Sequence, residues 1–347
     1  MKARAKRIKS QGRLIAILSG ILVLAVFFFW FMRFALQTEE AGGGAVEVKS
    51  AGRPEAVKPA MPVAFEGASF ESSGVIHVPG TDGVLFIDDG RPSGCYWVQL
   101  DGSGQQAGPV RYVSTGADVE DPESITFDGN RFYIMGSQSD PKAGKRNAFI
   151  RFDFDPDTSS ISDVEKIEDL RSFLLRSVPE LRGAGEKAGS EGGLNVEGIT
   201  WDPRNSVFLL GLRSPMIEGP VYQALVIAIR LKEADGPFAL SNIELAEPEP
   251  IRLRLGNSGI RDIHYDSRLG TFLIIAGAPK DRERGSFSLW QWGGRRDGGG
   301  LREIATLDSR LKPEGITRVE AAGNDFVFMV YDSSSYSSLD YASIGER

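Results

Sequence analysis

Apolar residues run along most of this chain in short bursts separated by Gly, Pro, Asn and Asp. Bursts bounded in this way by turn residues read as β-strands. One burst recurs with a similar opening, as FEGASF (65–70), PESITFD (122–128), VEGITWD (196–202), IRDIHYD (260–266) and PEGITRV (313–319). Each places an acidic residue ahead of an aliphatic or alanine, and most continue to an aromatic and Asp. A second apolar run follows each copy: GVLFIDDG, RFYIMGSQS, SVFLLGLRS, GTFLIIAGA and DFVFMVYDSS. Third runs such as NAFIRFDF, ALVIAIRL and FSLWQW come next. Repeated groups of short strands predict an all-β fold, a β-propeller.

Spacing sets the number of blades. The acidic positions 66, 123, 197, 262 and 314 are 57, 74, 65 and 52 residues apart. A four-stranded blade takes roughly 40–50 residues, so no interval holds two. Five blades are predicted, with six as the alternative. The 33 residues after Glu314 are too few for a full blade. An outer strand from the segment before Glu66, in GAVEVKS or KPAMPVAF, would complete it and leave no sheet edge open.

Two stretches depart from the β pattern. In residues 162–182, Val164, Ile167, Leu170, Leu174, Val178 and Leu181 recur at helical spacing, and Ser162 with Glu165 matches a capping box. This predicts a short helix inserted before the third repeat, where it would cap or cover one face. Residues 14–32, LIAILSGILVLAVFFFWFM, are 19 uncharged residues. As a helix they span about 28 Å, close to the hydrocarbon core of a bilayer. Six basic and no acidic residues precede them, which keeps the N-terminus cytoplasmic and exports the rest. A cleaved signal is the alternative, although the run is long for one and lacks an A-x-A site. The chain thus divides into a cytoplasmic basic tail (1–13), a transmembrane signal anchor (14–36), a Gly/Ala/Pro-rich tether (37–60) and an extracytoplasmic propeller (61–347).

Charge and rare residues narrow the function. Beyond residue 36 there are 33 basic and 47 acidic residues, a net charge of −14. Such a domain repels phosphate backbones, so nucleic acid is a poor partner. Cys95 is the single cysteine, so no internal disulfide forms, and it reads as a small buried hydrophobe. Having only His77 and His264 argues against a His-rich zinc site, and both histidines sit in strand-like runs. There is no P-loop, G-x-S-x-G or dinucleotide fingerprint.

The candidate chemistry lies where first strands begin beside the ends of second strands. That adjacency puts Glu197 near Arg213, and Glu66 near Asp88, Asp89 and Arg91. Glu66, Glu123, Glu197, Asp262 and Glu314 would ring one mouth of the channel. Oxygen ligands in such a ring suit calcium, and no other cofactor is implied. Glu197, Arg213, Glu123, Arg91 and Asp88 are the candidate binding residues; no catalytic residue is assigned. Three roles are open to the ring: clamping blade to blade, binding a protein or small-molecule ligand, or calcium-dependent hydrolysis of phosphate esters or lactones.

The stretch LNVEGITWDPRNSVFLLGLRSP resembles the N-[IV]-E-G-[LI]-x-W … L-x-G-L-R-S-P signature of the bacterial family catalogued as domain of unknown function 3616. DPESITFDGNRFYIMGSQS is similar to the preceding segment of that family. The resemblance runs from about residue 65 to residue 339. It implies a propeller-like fold distantly related to phytase-like and lactonase propellers. Asp262 without a following Gly departs from the pattern, and no activity transfers residue by residue.

Overall fold

Among the described residues, twenty-one strands, few longer than eight residues, follow from the short apolar bursts. The computed structural model describes residues 61–340 and 344, apart from 143 and 281–285. The expected membrane span at 14–32, the basic tail and the tether lie outside the described residues. Among the described residues, no helix is long and apolar enough to cross a membrane.

The strands form five antiparallel sheets, each built almost entirely from consecutive segments. Blade 1 comprises β2 (Ser72–His77), β3 (Gly83–Asp88), β4 (Gly94–Gln99) and β5 (Arg111–Ser114). Blade 2 comprises β6 (Pro122–Phe127), β7 (Phe132–Gly136), β8 (Phe149–Asp155) and β9 (Ser160–Ile167). In blade 3, β10 (Asn195–Asp202), β11 (Val207–Ser214) and β12 (Ala224–Leu231) are followed by β13 (Ile243–Leu245) and β14 (Ile251–Leu253), both paired with β12. Blade 4 has β15 (Gly259–Asp266), β16 (Thr271–Gly277), β17 (Phe287–Trp292) and β18 (Leu301–Leu307). Blade 5 has β19 (Pro313–Ala321), β20 (Asn324–Tyr331) and β21 (Ser335–Asp340), and β1 (Val63–Ala64) completes it at the outer edge. The first strands touch in a closed cycle, β2 to β6 to β10 to β15 to β19 and back to β2. The fold is a five-bladed propeller. Its ring is closed by β1, from within the KPAMPVAF segment.

Burial follows the blades. Each strand shows both faces to a neighbouring sheet, so the apolar residues form five clusters, one in each gap between blades. Phe65 packs into the gap between blades 5 and 1, stacked 4.7 Å from Phe86 and tilted against Tyr336 at 4.7 Å. Cys95 is fully buried between blades 1 and 2, and burial pushes its thiol up to about 12.

Two elements differ from the sequence reading. FEGASF is not the first strand of blade 1; it connects β1 to β2, and SSGVIH supplies the strand. The inserted helix, α1, covers only Leu170–Ser177, with Asp169 accepting from the backbone N–H of Ser172 as the N-cap. Ser162 and Glu165 belong instead to β9. The bulge opposite Arg151 and Asp153, with Asp163 at φ +50°, interrupts the strand alternation there. This gives Val164 and Ile167 a helix-like spacing. Leu170, Leu174, Val178 and Leu181 do share one buried face, in the gap between blades 2 and 3.

Candidate functional site

Each first strand carries a β-bulge near its start, and the extra residue leaves the ladder to face the axis. The register breaks fall between Ser72 and Gly74, Pro122 and Ser124, Val196 and Gly198, Ile260 and Asp262, and Pro313 and Gly315. The bulged residues are therefore Ser73, Glu123, Glu197, Arg261 and Glu314. All five line a cavity of about 870 Å³ at one mouth of the channel. The ring is real but differently composed: Arg261, not Asp262, stands in blade 4, and Ser73, not Glu66, in blade 1.

The Gly that follows three of these residues has a steric cause. A Cβ on Gly315 would come within 2.9 Å of the Gly74 Cα, and one on Gly198 within 3.0 Å of the Ile263 nitrogen. First strands of adjacent blades touch backbone to backbone there. In blade 4 the same position is Asp262, which reaches across the axis. It accepts from the backbone N–H groups of Ile316 and Ile263, each at 2.8 Å, and from the Ser124 hydroxyl at 3.1 Å. Ser124 in turn accepts from Ile199 N–H at 2.9 Å. Burial pushes the Asp262 carboxyl well above the usual range despite these bonds. It is the blade-to-blade clamp, tying blade 4 to blade 5 and, across the axis, to blade 2.

Arg261 occupies the centre of the carboxylates. Its Nε donates to Glu314 Oε2 at 2.8 Å, its Nη2 pairs with Glu314 Oε1, and its Nη1 lies 2.9 Å from Glu197 Oε2. Burial opposes the Arg261 charge, but Glu197 and Glu314 more than offset it and raise its pKa. Glu197 is 1% exposed and also accepts from Arg213 Nη1 and Asn195 Nδ2, both at 2.9 Å. Arg213 Nε donates to the Ala278 carbonyl at 3.1 Å.

Glu123 is different. No hydrogen bond or ion pair holds its carboxyl among the described residues. Burial, then Glu197, Asp89 and Asp121, push its pKa well above the ordinary value. Asp89, open to the same cavity, is pushed up to about 8 by its surroundings and by Asp121. Burial likewise raises Glu314 to about 7 against the pull of Arg261. Of the eight carboxylates lining the cavity, Glu197 and Glu314 are paired with Arg261, whereas Glu123 and Asp89 are pushed towards keeping a proton. Asn195, 8% exposed, lines it as well, and its Oδ1 has no hydrogen-bond partner. The chain just before β10 adds Ala188, Gly189 and Ser190 to the wall, so the insertion carrying α1 shapes this mouth.

The expected residues divide as follows. Glu123, Glu197, Glu314 and Arg213 come together in the cavity. Glu66 is exposed in the β1–β2 connection, where its N–H meets the Gln106 side chain. Asp88 turns away to accept from Gly90 N–H at 2.8 Å, and Arg91 lies over the Tyr112 ring. Asp89, one residue on from Asp88, lines the cavity instead. The calcium expectation does not fit these residues. Glu66 is outside, Asp262 is committed to backbone donors, and Arg261 already supplies the cation between Glu197 and Glu314. Among the described residues, no three metal-ligating side chains converge.

The two histidines lie at the opposite mouth. There, Thr126, Thr200, His264 and Thr317 accept from the N–H groups of Trp201, Tyr265, Arg318 and His77 in the next blade, at 2.8–3.2 Å. His264 is thus a fourth threonine-like acceptor. Burial lowers its pKa to about 4, which keeps the ring neutral and able to accept.

No family model matches this chain, and no curated protein does. The resemblance to domain of unknown function 3616 therefore gains no support from a family match. Similar solved structures include a glucose dehydrogenase (10% identity, TM-score 0.41, covering 81% of this chain and 99% of that one). The RRP9 WD40 repeats (8% identity, TM-score 0.41) cover 82% of this chain and 99% of that chain. Saccharomyces cerevisiae Sqt1 (8% identity, TM-score 0.37) gives the same coverage. At these scores the likenesses carry no argument about activity.

Proposed function

We propose that the chain is a membrane-tethered extracytoplasmic binding module, which takes a small cation-bearing solute in the cavity lined by Asp89 and Glu123. The observation that carries this reading is the unpartnered Glu123 carboxyl in a cavity of about 870 Å³ where Glu197 and Glu314 are already paired with Arg261. That volume is in the range of small-molecule sites. A ligand ammonium or guanidinium placed between Glu123 and Asp89 replaces their retained protons and relieves their mutual repulsion. The apolar segment 14–32 with its basic flank supports the tether, and kinship with domain of unknown function 3616 remains part of the proposal.

The full chain in nanodiscs tests the reading by thermal shift with agmatine, cadaverine and spermidine, against acetate and glycerol. An amine should raise the melting temperature, by about 2.7 kcal/mol of stabilisation at a hundredfold excess over Kd. Glu123→Gln should abolish the rise. Absence of any amine effect in the wild type would sink the reading.

Hydrolysis is the second reading. The specific observation in its favour is again Glu123, whose burial among other carboxylates favours the protonated form that a general acid donates from. Turnover of a phosphate-ester or lactone panel without added metal, lost in Glu123→Gln, would establish it. Silence across the panel removes it.

A further inference from the structure

The mouth opposite the acidic cavity holds a second, chemically different cavity of about 420 Å³. The two share no lining residue. The Ser124–Asp262 hydrogen bond crosses the axis at the level between them.

The walls of this second cavity follow from strand register. One position on each first strand contributes His77, Phe127, Trp201, Tyr265 and Arg318, and all five line it. Three are aromatic, and each is braced from behind. Trp201 packs 4.8 Å from Phe208, Phe127 4.6 Å from Phe132, and Tyr265 5.2 Å from Phe272. Rings held this way present fixed flat faces at low entropic cost.

The position one residue earlier forms the floor. Thr126 and Thr200, 3% and 2% exposed, each accept a backbone N–H from the next blade. Their hydroxyl protons have no acceptor among the described residues. His264 Nε2 accepts from Arg318 N–H, which places its proton on Nδ1, again with no acceptor among the described residues. Three unspent donors therefore face a cavity with aromatic walls. The acidic groups of the rim are engaged elsewhere: Asp128 takes the Tyr133 hydroxyl at 2.7 Å, and Glu320 pairs with Arg318.

We infer that this mouth is a second binding site, for a small planar molecule bearing a carboxylate, such as a benzoate. The ring lies between Trp201, Phe127 and Tyr265, and the carboxylate oxygens accept from Thr126, Thr200 and His264. The site is independent of the acidic cavity and of the amine reading given to it.

The test is a fluorine NMR titration of the full chain in nanodiscs with 4-fluorobenzoate, 4-fluorobenzylamine and fluoroacetate. The benzoate should bind saturably, and the other two at least about tenfold more weakly, equivalent to about 1.4 kcal/mol. Trp201→Ala and Thr126→Val should each weaken the benzoate severalfold, while Glu123→Gln at the other mouth leaves it unchanged. Thr126→Ser keeps the hydroxyl and should retain binding, which separates a lost donor from a lost fold. The inference is overturned if the benzoate does not saturate, or if the benzylamine binds as well. It is equally overturned if Glu123→Gln, rather than Trp201→Ala, removes binding.

Discussion

Replacing Arg261 with Met removes the one guanidinium that, among the described residues, contacts both Glu197 and Glu314, and breaks the Glu314 ion pair. Breaking a buried ion pair on one side costs about 3–5 kcal/mol, so Arg261→Met should lower the denaturant midpoint sharply. Adding Glu314→Gln should recover part of the loss, because a neutral amide does not need the missing cation; no recovery would mean Arg261 acts through packing alone. Glu123→Gln should do the opposite. Glu123 and Asp89 have folded pKa values raised above their unfolded ones. Their contribution is therefore complete below the ordinary carboxyl range and is lost as pH rises through the folded values, up to about 8 for Asp89. Urea titrations at pH 5 and pH 8 should show stability falling with pH in the wild type, and less so in Glu123→Gln. His264 has the reverse sign: lowered from 6.5 to about 4, it contributes fully above pH 6.5 and loses that contribution as pH falls through 4. His264→Gln should flatten the acid side. Sequence reading found three of the five axial residues, because Glu123, Glu197 and Glu314 share charge and a small follower. It misplaced the other two because the repeat is defined by the bulge and the aliphatic after it. Ser73-Gly74-Val75 and Arg261-Asp262-Ile263 keep that frame while changing the charge.

At the scale of the strand, the first-strand glycines mark where blades touch through backbone. Gly315→Ala would drive a methyl to 2.8 Å from Val330 Cγ2 and to 2.9 Å from both the Gly74 Cα and the Val75 nitrogen, so backbone of the next blade would have to give way. Overpacking of this kind costs about 1–3 kcal/mol. Gly67, in the exposed β1–β2 connection, meets nothing within 4 Å but sits at φ +101°. Gly67→Ala carries backbone strain without a clash, so comparing the two variants by thermal melt should separate contact from conformation. Equal losses would refute the assignment of Gly315 to blade packing. Strand order was legible for a related reason: turn residues and short apolar runs are local signals. The start of α1 was not. Near Asp163 a β-bulge and a helical turn give similar apolar spacing, and only pairing with β8 (Arg151 with Glu165) decides between them.

A closed ring of blades has one seam, and the whole molecule depends on it. β1 contributes two residues, Val63 and Ala64, pairing with Tyr336 and Ser335 of β21. So short a ladder is weak by itself, and Phe65 adds a buried ring to the seam. That ring lies against Phe86 and Phe70 of the blade 1 side and Tyr336 of blade 5, and is 5% exposed. Phe65→Ala should therefore cost about 3–5 kcal/mol, as truncation of a buried Phe does. The loss should also be unevenly distributed: a break at the seam frees the first and last blades before the middle ones. Hydrogen exchange should then speed up first in β2 to β4 and β19 to β21, and least in β10 to β12. An equally buried ring away from the seam, Phe272 in the gap between blades 3 and 4, provides the control. Phe272→Ala should lose comparable stability without favouring exchange at blades 1 and 5. If both variants loosen all five blades alike, the ring unfolds as a single unit and its closure has no special role.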